Sequence, residues 1–468
     1  MKNMKIKILF MVLLLSPLCA AWGQSMVNDV PPIPSDTSIV RYWQQGVCIV
    51  YTHNKDNENW FLLVDSAMPQ VRRIAVPENV TVNDFRIFND TVFIGGHVVL
   101  GMGNLYGLLA CFAIQDFYNG MGSYHWIVTL PTPMPDCLCG EEPYLSNCEN
   151  QIYDVTRLYV YDSGGYSKIA YIAKNFVNSI LDSRVGVGCA RYDGSQWRSM
   201  LLYNKYAIEE YTDIIATENY VVAVARTNDS ARLALRIYPK TNFLYPNGTY
   251  PNDFFYPNKY GQGLADLEVD DNVMATPLYD DKFALAYHYK KLSDDGLAVR
   301  TFDIMGGLAV LSQGLNAPVV RQPGSIWKMR DIRYSHLHQH LIVLNDIDRG
   351  SGVQSSIVYQ FQLPTLVTGP YYGRCLKDYT LYAMDTFGNM ADFFVASGRD
   401  ERDVLLSLYW EYLIPYASCG IQVVINGYTN SPSLYSTFMQ TNLNRPIPYD
   451  GSTSFFVENV EKDVICGQ

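Results

Sequence analysis

Short apolar segments with alternating hydrophobic and polar positions recur along most of the chain, separated by polar turns. Typical segments are GLLACFAIQDF from Gly107, ARLALRIYP from Ala231 and SSIVYQFQL from Ser355. A period of two places alternate side chains on the two faces of a β-strand, and no segment of a dozen residues keeps a helical spacing through three turns. The pattern predicts an all-β protein. ERDVLLSLYWEYL from Glu401 is also predicted to be a strand, because it falls where the outer strands of the last unit are due.

A degenerate repeat organises these segments. Each copy begins with a short acidic and aromatic strand, continues through a polar turn and ends in an apolar strand rich in Val, Ile, Phe and Ala. The five clearest copies open at aspartates, namely Asp84, Asp154, Asp213, Asp331 and Asp378. A weaker copy lies near Asp271, and one that lacks the aspartate starts at Ser38. We expect the five aspartates to occupy equivalent positions.

This repeat predicts a β-propeller of about seven blades of four-stranded antiparallel sheet, spanning residues 38–430. Tandem β-sandwiches would also show short strands between turns, but copies that keep one internal order favour a closed ring. Residues 431–468 form a C-terminal tail. Its segment STSFFVENV from Ser452 could pair with the N-terminal unit and close the ring, which would remove exposed strand edges.

The N-terminus has the features of a signal peptide over residues 1–23. Three lysines precede an apolar run from Ile8 to Leu18 that is too short to span a bilayer, and cleavage is expected before Gln24. Lipidation at Cys19 is the weaker alternative, because Leu18 stands where a small residue is expected. Residues 24–37 are then a linker. We expect export to the periplasm, the cell surface or the exterior, with no integral membrane segment after signal cleavage.

Composition restricts the partners. The net charge is −11, and a surplus of Lys and Arg on one face is what nucleic-acid binding requires, so we expect no nucleic-acid partner. The chain has 36 tyrosines and only 17% charged residues. Aromatic residues of this kind favour both strands and hydrated binding faces. Protein or glycan bound through loops on the propeller face is therefore the expected partner, and no cofactor is predicted.

Ten cysteines include Cys19 of the signal and leave nine in an oxidising compartment. Cys137, Cys139 and Cys148 lie in one loop, where a disulfide would constrain an otherwise long excursion. Zinc is a weaker alternative, because three cysteines without a nearby histidine make a poor tetrahedral set, and free or interchain thiols remain open. Three others lie within apolar strands and are predicted to be small core residues: Cys48, Cys111 and Cys189.

Several polar groups could suggest a metal or a catalytic site. His336, His338 and His340 have the spacing of one strand face, but the repeat places the first two in a turn. The segment Asn345 to Gly350 is similar to the start of a calcium loop, yet it lacks the closing glutamate, which favours a hairpin turn. A glycosidase could use paired carboxylates from a third acidic group, although blade turns explain this group more simply: Asp266, Glu268, Asp270 and Asp271.

The segment FLYPNGTYPNDFFYPNKY, residues 243–260, combines seven aromatics with Asn, Pro and Gly. Such a loop either packs its rings onto the propeller or presents them to a sugar or protein partner. Five of its residues are the candidate ligand-binding residues: Tyr245, Tyr250, Phe254, Phe255 and Tyr256.

The unit DFRIFNDTVFIGG from Asp84, its weaker echoes and a signal ending at Gly23-Gln24 resemble those of secreted β-propeller-like proteins of Bacteroidetes. This resemblance covers the mature chain and implies export and a propeller without a named activity. Three tripeptides are also similar to the sequence at which that group O-glycosylates exported proteins: Asp65-Ser66-Ala67, Asp90-Thr91-Val92 and Asp229-Ser230-Ala231.

Two functions follow as hypotheses. The first is a non-catalytic binding or scaffold propeller, and the alternative is a glycan-active hydrolase or lyase of the cell envelope. The usual hydrolase, metalloprotease and nucleotide-binding motifs are absent from the sequence, which favours the first without deciding it, because propeller enzymes gather residues from many blades.

Overall fold

The structure is a computed structural model, and nearly all the residues it describes lie in β-strands. The described residues are 37–44, 47–53, 59–65, 72–101, 104–119, 124–130, 151–163, 166–176, 185–191, 198–201, 209–227, 233–240, 268–269, 272–291, 294–318, 326–336, 339–348, 354–366, 373–377, 380–386, 393–399, 405–411, 419–424, 438–441 and 457–459.

Seven antiparallel sheets form, each from strands that are mostly consecutive along the chain. We number these sheets as blades 1 to 7. The first three have four strands each, in the following order: β1 (Thr37–Gln44), β2 (Val47–His53), β3 (Asn59–Asp65) and β4 (Arg72–Val76); β5 (Val80–Phe88), β6 (Thr91–Leu100), β7 (Asn104–Ala113) and β8 (Tyr124–Leu130); β9 (Gln151–Ser163), β10 (Tyr166–Phe176), β11 (Val185–Arg191) and β12 (Arg198–Leu201). A single turn of helix, α1 (Asp116–Asn119), follows β7.

The remaining blades have three or five described strands. Their bounds are as follows: in blade 4, β13 (Glu209–Ala216), β14 (Tyr220–Thr227) and β15 (Leu233–Pro239); in blade 5, β16 (Glu268–Val269), β17 (Met274–Pro277), β18 (Lys282–Lys291), β19 (Asp294–Met305) and β20 (Leu308–Pro318); in blade 6, β21 (Ile326–Ser335), β22 (His340–Asp348), β23 (Gln354–Gln362), β24 (Gly373–Lys377) and β30 (Val457–Asn459); in blade 7, β25 (Thr380–Thr386), β26 (Phe393–Arg399), β27 (Leu405–Glu411), β28 (Cys419–Val424) and β29 (Phe438–Thr441).

The blades are arranged in a closed ring. The innermost strands β1, β5, β9, β13, β17, β21 and β25 contact one another in that order, and β25 contacts β1 in turn. This arrangement is a β-propeller, so the predicted fold class is confirmed. The predicted strand from Glu401 is also confirmed as β27, and α1 is the one helix among the described residues.

The hydrophobic core lies in layers between adjacent blades. Phe61 of blade 1 packs edge-on against Phe85 and Phe112 of blade 2, with ring centroids 5.3 and 5.2 Å apart. Cys48 and Cys111 are buried in their strands, as predicted for small core residues. Because the middle strands pack against a neighbouring blade on each face, their burial is nearly continuous, as in β2, β6 and β15, and does not follow the alternation of the sequence.

The C-terminal tail adds strands to outer blade edges. β29 pairs with β28 and so extends blade 7 beyond residue 430, while β30 pairs with β24 of blade 6. The described part of the tail therefore pairs with these outer edges and not with the N-terminal unit. The ring closes instead where β1 packs against β25 and β26. An added strand can pair with the outer edge of β24. By contrast, β1 is the innermost strand of its sheet and already packs against β25 of blade 7.

Candidate functional site

Six of the seven innermost strands carry a β-bulge. The bulge of β1 is at Trp43, next to the end of that strand, and the other five lie at equivalent positions. In these five, the extra residue is Asn83 in β5, Thr156 in β9, Thr212 in β13, Arg330 in β21 and Tyr382 in β25. A bulge re-aims the side chains that follow it. The residues directly after these five bulges are therefore structurally equivalent, and they are Asp84, Arg157, Asp213, Asp331 and Ala383.

The three aspartates at this position make the same pair of hydrogen bonds. One oxygen of each accepts the N–H of the next residue at 2.9 Å. The other accepts an N–H from the innermost strand of the next blade, at 3.2 Å for Asp84, 2.8 Å for Asp213 and 3.2 Å for Asp331. Each carboxylate thus connects two neighbouring blades.

Arginines two residues further along make the complementary bond. The Nε of Arg86 donates to the Leu158 carbonyl at 3.1 Å, so Asp84 and Arg86 together bind both backbone groups of that residue. Asp331 and Arg333 bind the backbone of Met384 in the same way. An innermost strand lies at the end of its sheet, and its free edge leaves N–H and C=O groups that need partners when buried. The Asp-x-Arg pairs supply those partners.

Ion pairs extend these connections around the ring. Arg41 of blade 1 is buried, with its Nη2 2.6 Å from Asp84 Oδ1 and its Nε bonded to the Phe85 carbonyl at 3.0 Å. On the other side, Arg333 lies 2.8 Å from Asp331 and 3.3 Å from Asp385. Buried charges are tolerated when they are paired and hydrogen-bonded in this way.

We call these innermost residues the axial cluster. Its members come from six of the seven blades and include four arginines and four aspartates: Arg41, Asp84, Arg86, Arg157, Tyr159, Asp213, Asp331, Arg333 and Asp385.

The electrostatics of the cluster follow from burial and from opposite charges. Burial alone would raise the pKa of the Asp84 carboxyl, but Arg86, Arg41 and Arg157 outweigh it and hold this pKa below its ordinary value. Burial, reinforced by Arg86, lowers the pKa of Arg41 to about 10. For Arg86 burial acts in the same direction, yet Asp84 and Asp213 raise its pKa above the ordinary value.

Groups on opposite sides of the ring influence one another. Burial raises the pKa of the Asp213 carboxyl, and Arg157 and Arg86 oppose this only in part. Burial also raises the pKa of the Tyr159 hydroxyl, which interacts with Arg86 of blade 2 and Arg333 of blade 6. The charged side chains of different blades therefore interact with one another across the ring.

The structure confirms only part of the predicted equivalence of the repeat aspartates. Asp84, Asp213 and Asp331 are equivalent, whereas Asp154 lies three residues before the equivalent position in β9. Asp154 instead accepts a hydrogen bond from Asn83 Nδ2 at 2.5 Å and lies 2.9 Å from His97 Nδ1. Asp378 lies outside the described residues.

The histidine and calcium-like motifs form part of the strand framework. His336 lies in the turn after β21, as predicted, with its ring 4.6 Å from that of Tyr334, and His340 begins β22. His338 lies outside the described residues. Within the described part of the chain, no three side chains of His, Cys, Asp or Glu come together as metal ligands.

The hairpin turn predicted for Asn345 to Gly350 does not begin at Asn345, because residues 345–348 continue strand β22, which pairs with the next strand β23, and Arg349 and Gly350 lie outside the described residues. The side chains of Asn345 and Asp346 bind residues of neighbouring strands, which explains why these two polar residues are buried in a strand. Asn345 Oδ1 lies 2.7 Å from His288 Nε2, and Asp346 accepts hydrogen bonds from Arg330 Nε at 2.5 Å and from Ser356 Oγ at 2.7 Å.

The remaining predicted sites lie where side chains are not described. These are the cysteines Cys137, Cys139 and Cys148, the aromatic residues Tyr245, Tyr250, Phe254, Phe255 and Tyr256, and the acidic group Asp266, Glu268, Asp270 and Asp271. Of the three glycosylation-like tripeptides, those with Ser66 and Ser230 lie at least partly outside the described residues, whereas Thr91 is buried, with its hydroxyl donating to the Asn89 carbonyl at 3.3 Å. A buried hydroxyl is a poor site for attaching a sugar.

Sequence reasoning missed the axial cluster, although a signal for it is present. The strings Asp84-Phe85-Arg86 and Asp331-Ile332-Arg333 occur at equivalent points of two repeats. Opposite charges two residues apart on an innermost strand lie on one face of it, and a pair of this kind can bind an N–H and a C=O of the next blade.

No family model and no curated protein matches the chain. Among solved structures, the chain is similar to one of two prolyl endopeptidases, with a TM-score of 0.43 and 9% identity over 81% of this chain and 47% of that chain. It is also similar to the β-propeller domain of the Trilobed protease from Pyrococcus furiosus, with a TM-score of 0.42 and 7% identity over 81% of this chain and 99% of that chain.

A third similar structure is a post-proline cleaving enzyme from Rickettsia typhi, with a TM-score of 0.43 and 8% identity over 86% of this chain and 53% of that chain. The chain thus spans about half the length of two of these three proteins. The assignment of the propeller rests on the seven sheets and the ring of contacts between their innermost strands. No helix among the described residues is long and apolar enough to cross a membrane.

Proposed function

We propose that this protein is an exported, non-catalytic propeller that binds protein or glycan through loops on its faces or serves as a scaffold for them. One observation supports this proposal above the others. The carboxylates of Asp84, Asp213 and Asp331 are each bound to two backbone N–H groups, one of them in the next blade. Their chemistry is used to hold the ring together, which suits a rigid support for recognition loops.

Export is part of the proposal and is supported by the N-terminal sequence alone. Three lysines followed by a short apolar run are typical of a secretory signal, and the resemblance to secreted propeller-like proteins of Bacteroidetes agrees with it. An oxidising destination would also permit the disulfide proposed within residues 137–148.

Recognition is proposed to involve the aromatic segment 243–260, which joins β15 of blade 4 to β16 of blade 5. Aromatic rings stack on sugars and fill pockets of protein partners, while asparagines supply hydrogen bonds. Propeller loops in general vary more than the strands that carry them, which makes them suitable for specific binding.

Binding and turnover can be separated with residues 24–468 as a purified protein. A glycan array and a pull-down with envelope proteins measure binding, and a reducing-sugar assay on each bound glycan measures cleavage. We expect binding without release of reducing ends. Release of reducing ends would instead support the alternative, a glycan-active hydrolase or lyase.

A further inference from the structure

Blade 3 departs from the pattern of the axial cluster. Arg157 of β9 stands directly after the bulge at Thr156, where blades 2, 4 and 6 have an aspartate. An arginine has five N–H donors and no acceptor, so it cannot bind the backbone N–H that the aspartates bind. The side chain of Arg157 therefore cannot make the contact that the equivalent aspartates make.

Arg157 has no such partner among the described residues. Its guanidinium makes no hydrogen bond and no ion pair there, although it is half-buried. Arg157 lies two residues before Tyr159 on the innermost strand β9, so the two side chains share one face of that strand, and its charge acts on Asp84 of blade 2 and Asp213 of blade 4. The guanidinium nitrogens of Arg157 are not among the buried unpartnered atoms of the described residues, so they are accessible and free to bind water or a ligand.

Two neighbouring groups have spare donors as well. Arg86 uses its Nε on the Leu158 carbonyl, and its Nη2 lies 3.7 Å from Asp84 Oδ2, beyond hydrogen-bond length. Its side chain is 17% exposed and lies over the ring of Tyr159, 5.4 Å from the ring centre. The Tyr159 hydroxyl makes no hydrogen bond within the described part of the chain.

The nearby carboxylates are already occupied. Asp84 accepts the N–H groups of Phe85 and Leu158 and pairs with Arg41. Asp213 accepts the N–H groups of Ile214 and Ala275, one at each oxygen. Donors on blades 2 and 3 therefore exceed the available acceptors.

We propose that Arg157, Arg86 and Tyr159 bind an oxyanion, namely a carboxylate, sulfate or phosphate group, at the centre of the ring. The planar fork of a guanidinium matches two oxygens of such a group, and these charge-assisted bonds are among the strongest in proteins. Tyr159 would add a third donor through its hydroxyl. This site is separate from the aromatic segment and does not depend on the function proposed above.

Calorimetric titration of residues 24–468 tests the site directly, with sodium sulfate, sodium phosphate and sodium glucuronate as probes at constant ionic strength and glucose as the neutral reference. Binding is measured because sulfate stabilises many proteins by exclusion from their surface, which would confuse a melting experiment. We expect at least one probe to bind and glucose not to bind. Tighter binding of glucuronate would identify a carboxylate ligand, and tighter binding of sulfate or phosphate an inorganic-type oxyanion.

Arg157→Gln should raise the dissociation constant of the bound probe at least about tenfold, because a charged donor pair is lost. Arg73→Gln is the matched control, since Arg73 stacks on Trp60 at 4.6 Å on the outer part of blade 1 and loses the same charge far from the axis. Its affinity should equal that of the wild type.

Tyr159→Phe removes one hydroxyl and provides a milder variant should Arg157→Gln not fold. It should weaken binding severalfold while the protein stays folded. The proposal fails if the wild type binds none of the three probes, if Arg157→Gln and Arg73→Gln lose affinity equally, or if the folded Tyr159→Phe variant binds as tightly as the wild type.

Discussion

The Oδ2 atom of Asp385 accepts the backbone N–H of Tyr42 at 2.8 Å, and this bond joins the last blade to the first. The chain itself connects every other pair of neighbouring blades, so this seam depends on non-covalent contacts. The Oδ1 atom of the same carboxylate lies 3.3 Å from Arg333 Nε and accepts the Thr386 N–H at 3.0 Å. One side chain therefore connects blades 6, 7 and 1.

Asp385→Ala should weaken the contact between blades 7 and 1 more than the contacts between the other neighbouring blades. We expect it to lower the free energy of unfolding by ~1–3 kcal/mol, the usual effect of leaving buried partners unsatisfied. Urea denaturation measures the loss, and amide exchange should rise in β1 more than in β13. Asp303→Ala is the control, because Asp303 pairs with Lys282 at 3.8 Å near the surface, and should change stability by less than about 0.5 kcal/mol. Equal losses in the two variants would contradict the role of the seam.

Asp84 and Asp213 should affect the pH dependence of stability in opposite directions. The folded-state pKa of Asp84 lies below the ordinary 3.8, so its contribution is complete above 3.8 and is lost as the pH falls through the folded-state pKa. The folded-state pKa of Asp213 lies above 3.8, so the folded protein holds its proton and stability falls as the pH rises from 3.8 through that pKa.

Denaturation of Asp84→Asn and Asp213→Asn across this pH range measures both slopes. Asp84→Asn should flatten the rise of stability with pH below 3.8, and Asp213→Asn should remove the fall above it. Each variant also loses an acceptor at every pH, so the slope, and not the absolute stability, is the relevant quantity. A change of slope in the same direction for both variants would refute this account.

Gly96→Ala should be severely destabilising. A Cβ at this position of β6 would lie 1.9 Å from the Thr81 carbonyl oxygen of the paired strand β5, and backbone cannot move aside as a flexible side chain can. We expect a loss of roughly 3 kcal/mol or more, or no folded protein. Gly101→Ala is the control, because its Cβ would meet no atom within 4 Å. Thermal unfolding of the two variants decides the matter, and a stable Gly96→Ala protein would mean that these strands separate more easily than their pairing indicates.

The sequence was sufficient to predict the ring but not the role of its charges. Short apolar segments between polar turns, repeated in one order, predict strands and blades, although burial of both faces makes strands such as β2 and β15 buried almost without interruption. Asp154 was misaligned with Asp84 because the register depends on a bulge at Thr156, which is a backbone feature that residue types do not specify. The equivalent residue, Arg157, was overlooked because it differs in charge from the other members of the repeat.

At least one cysteine among Cys137, Cys139 and Cys148 should be bridged in the exported protein. Three cysteines within twelve residues, in a compartment that favours oxidation, motivate this expectation. Alkylation of the denatured, unreduced protein followed by mass spectrometry of the peptide reports each thiol. Cys48 and Cys111 serve as internal references, since they are buried in strands of blades 1 and 2 and become reactive on denaturation. Modification of all three loop cysteines without prior reduction would exclude the disulfide.

Aromatic residues of the segment 243–260 should contribute to binding more than to stability if this segment recognises a partner. A ring that stacks on a sugar or a protein must be exposed, and an exposed ring adds little to the core. The double variant Tyr250→Ala and Phe254→Ala should therefore leave the melting temperature nearly unchanged and weaken binding by ~1–3 kcal/mol. The control is Tyr279→Ala, which removes an aromatic side chain that is 41% exposed in the turn before β18 and should leave both quantities unchanged. If the double variant instead melts several degrees lower and binds its partner as tightly as before, the rings pack onto the propeller, and the binding surface must be sought in other loops.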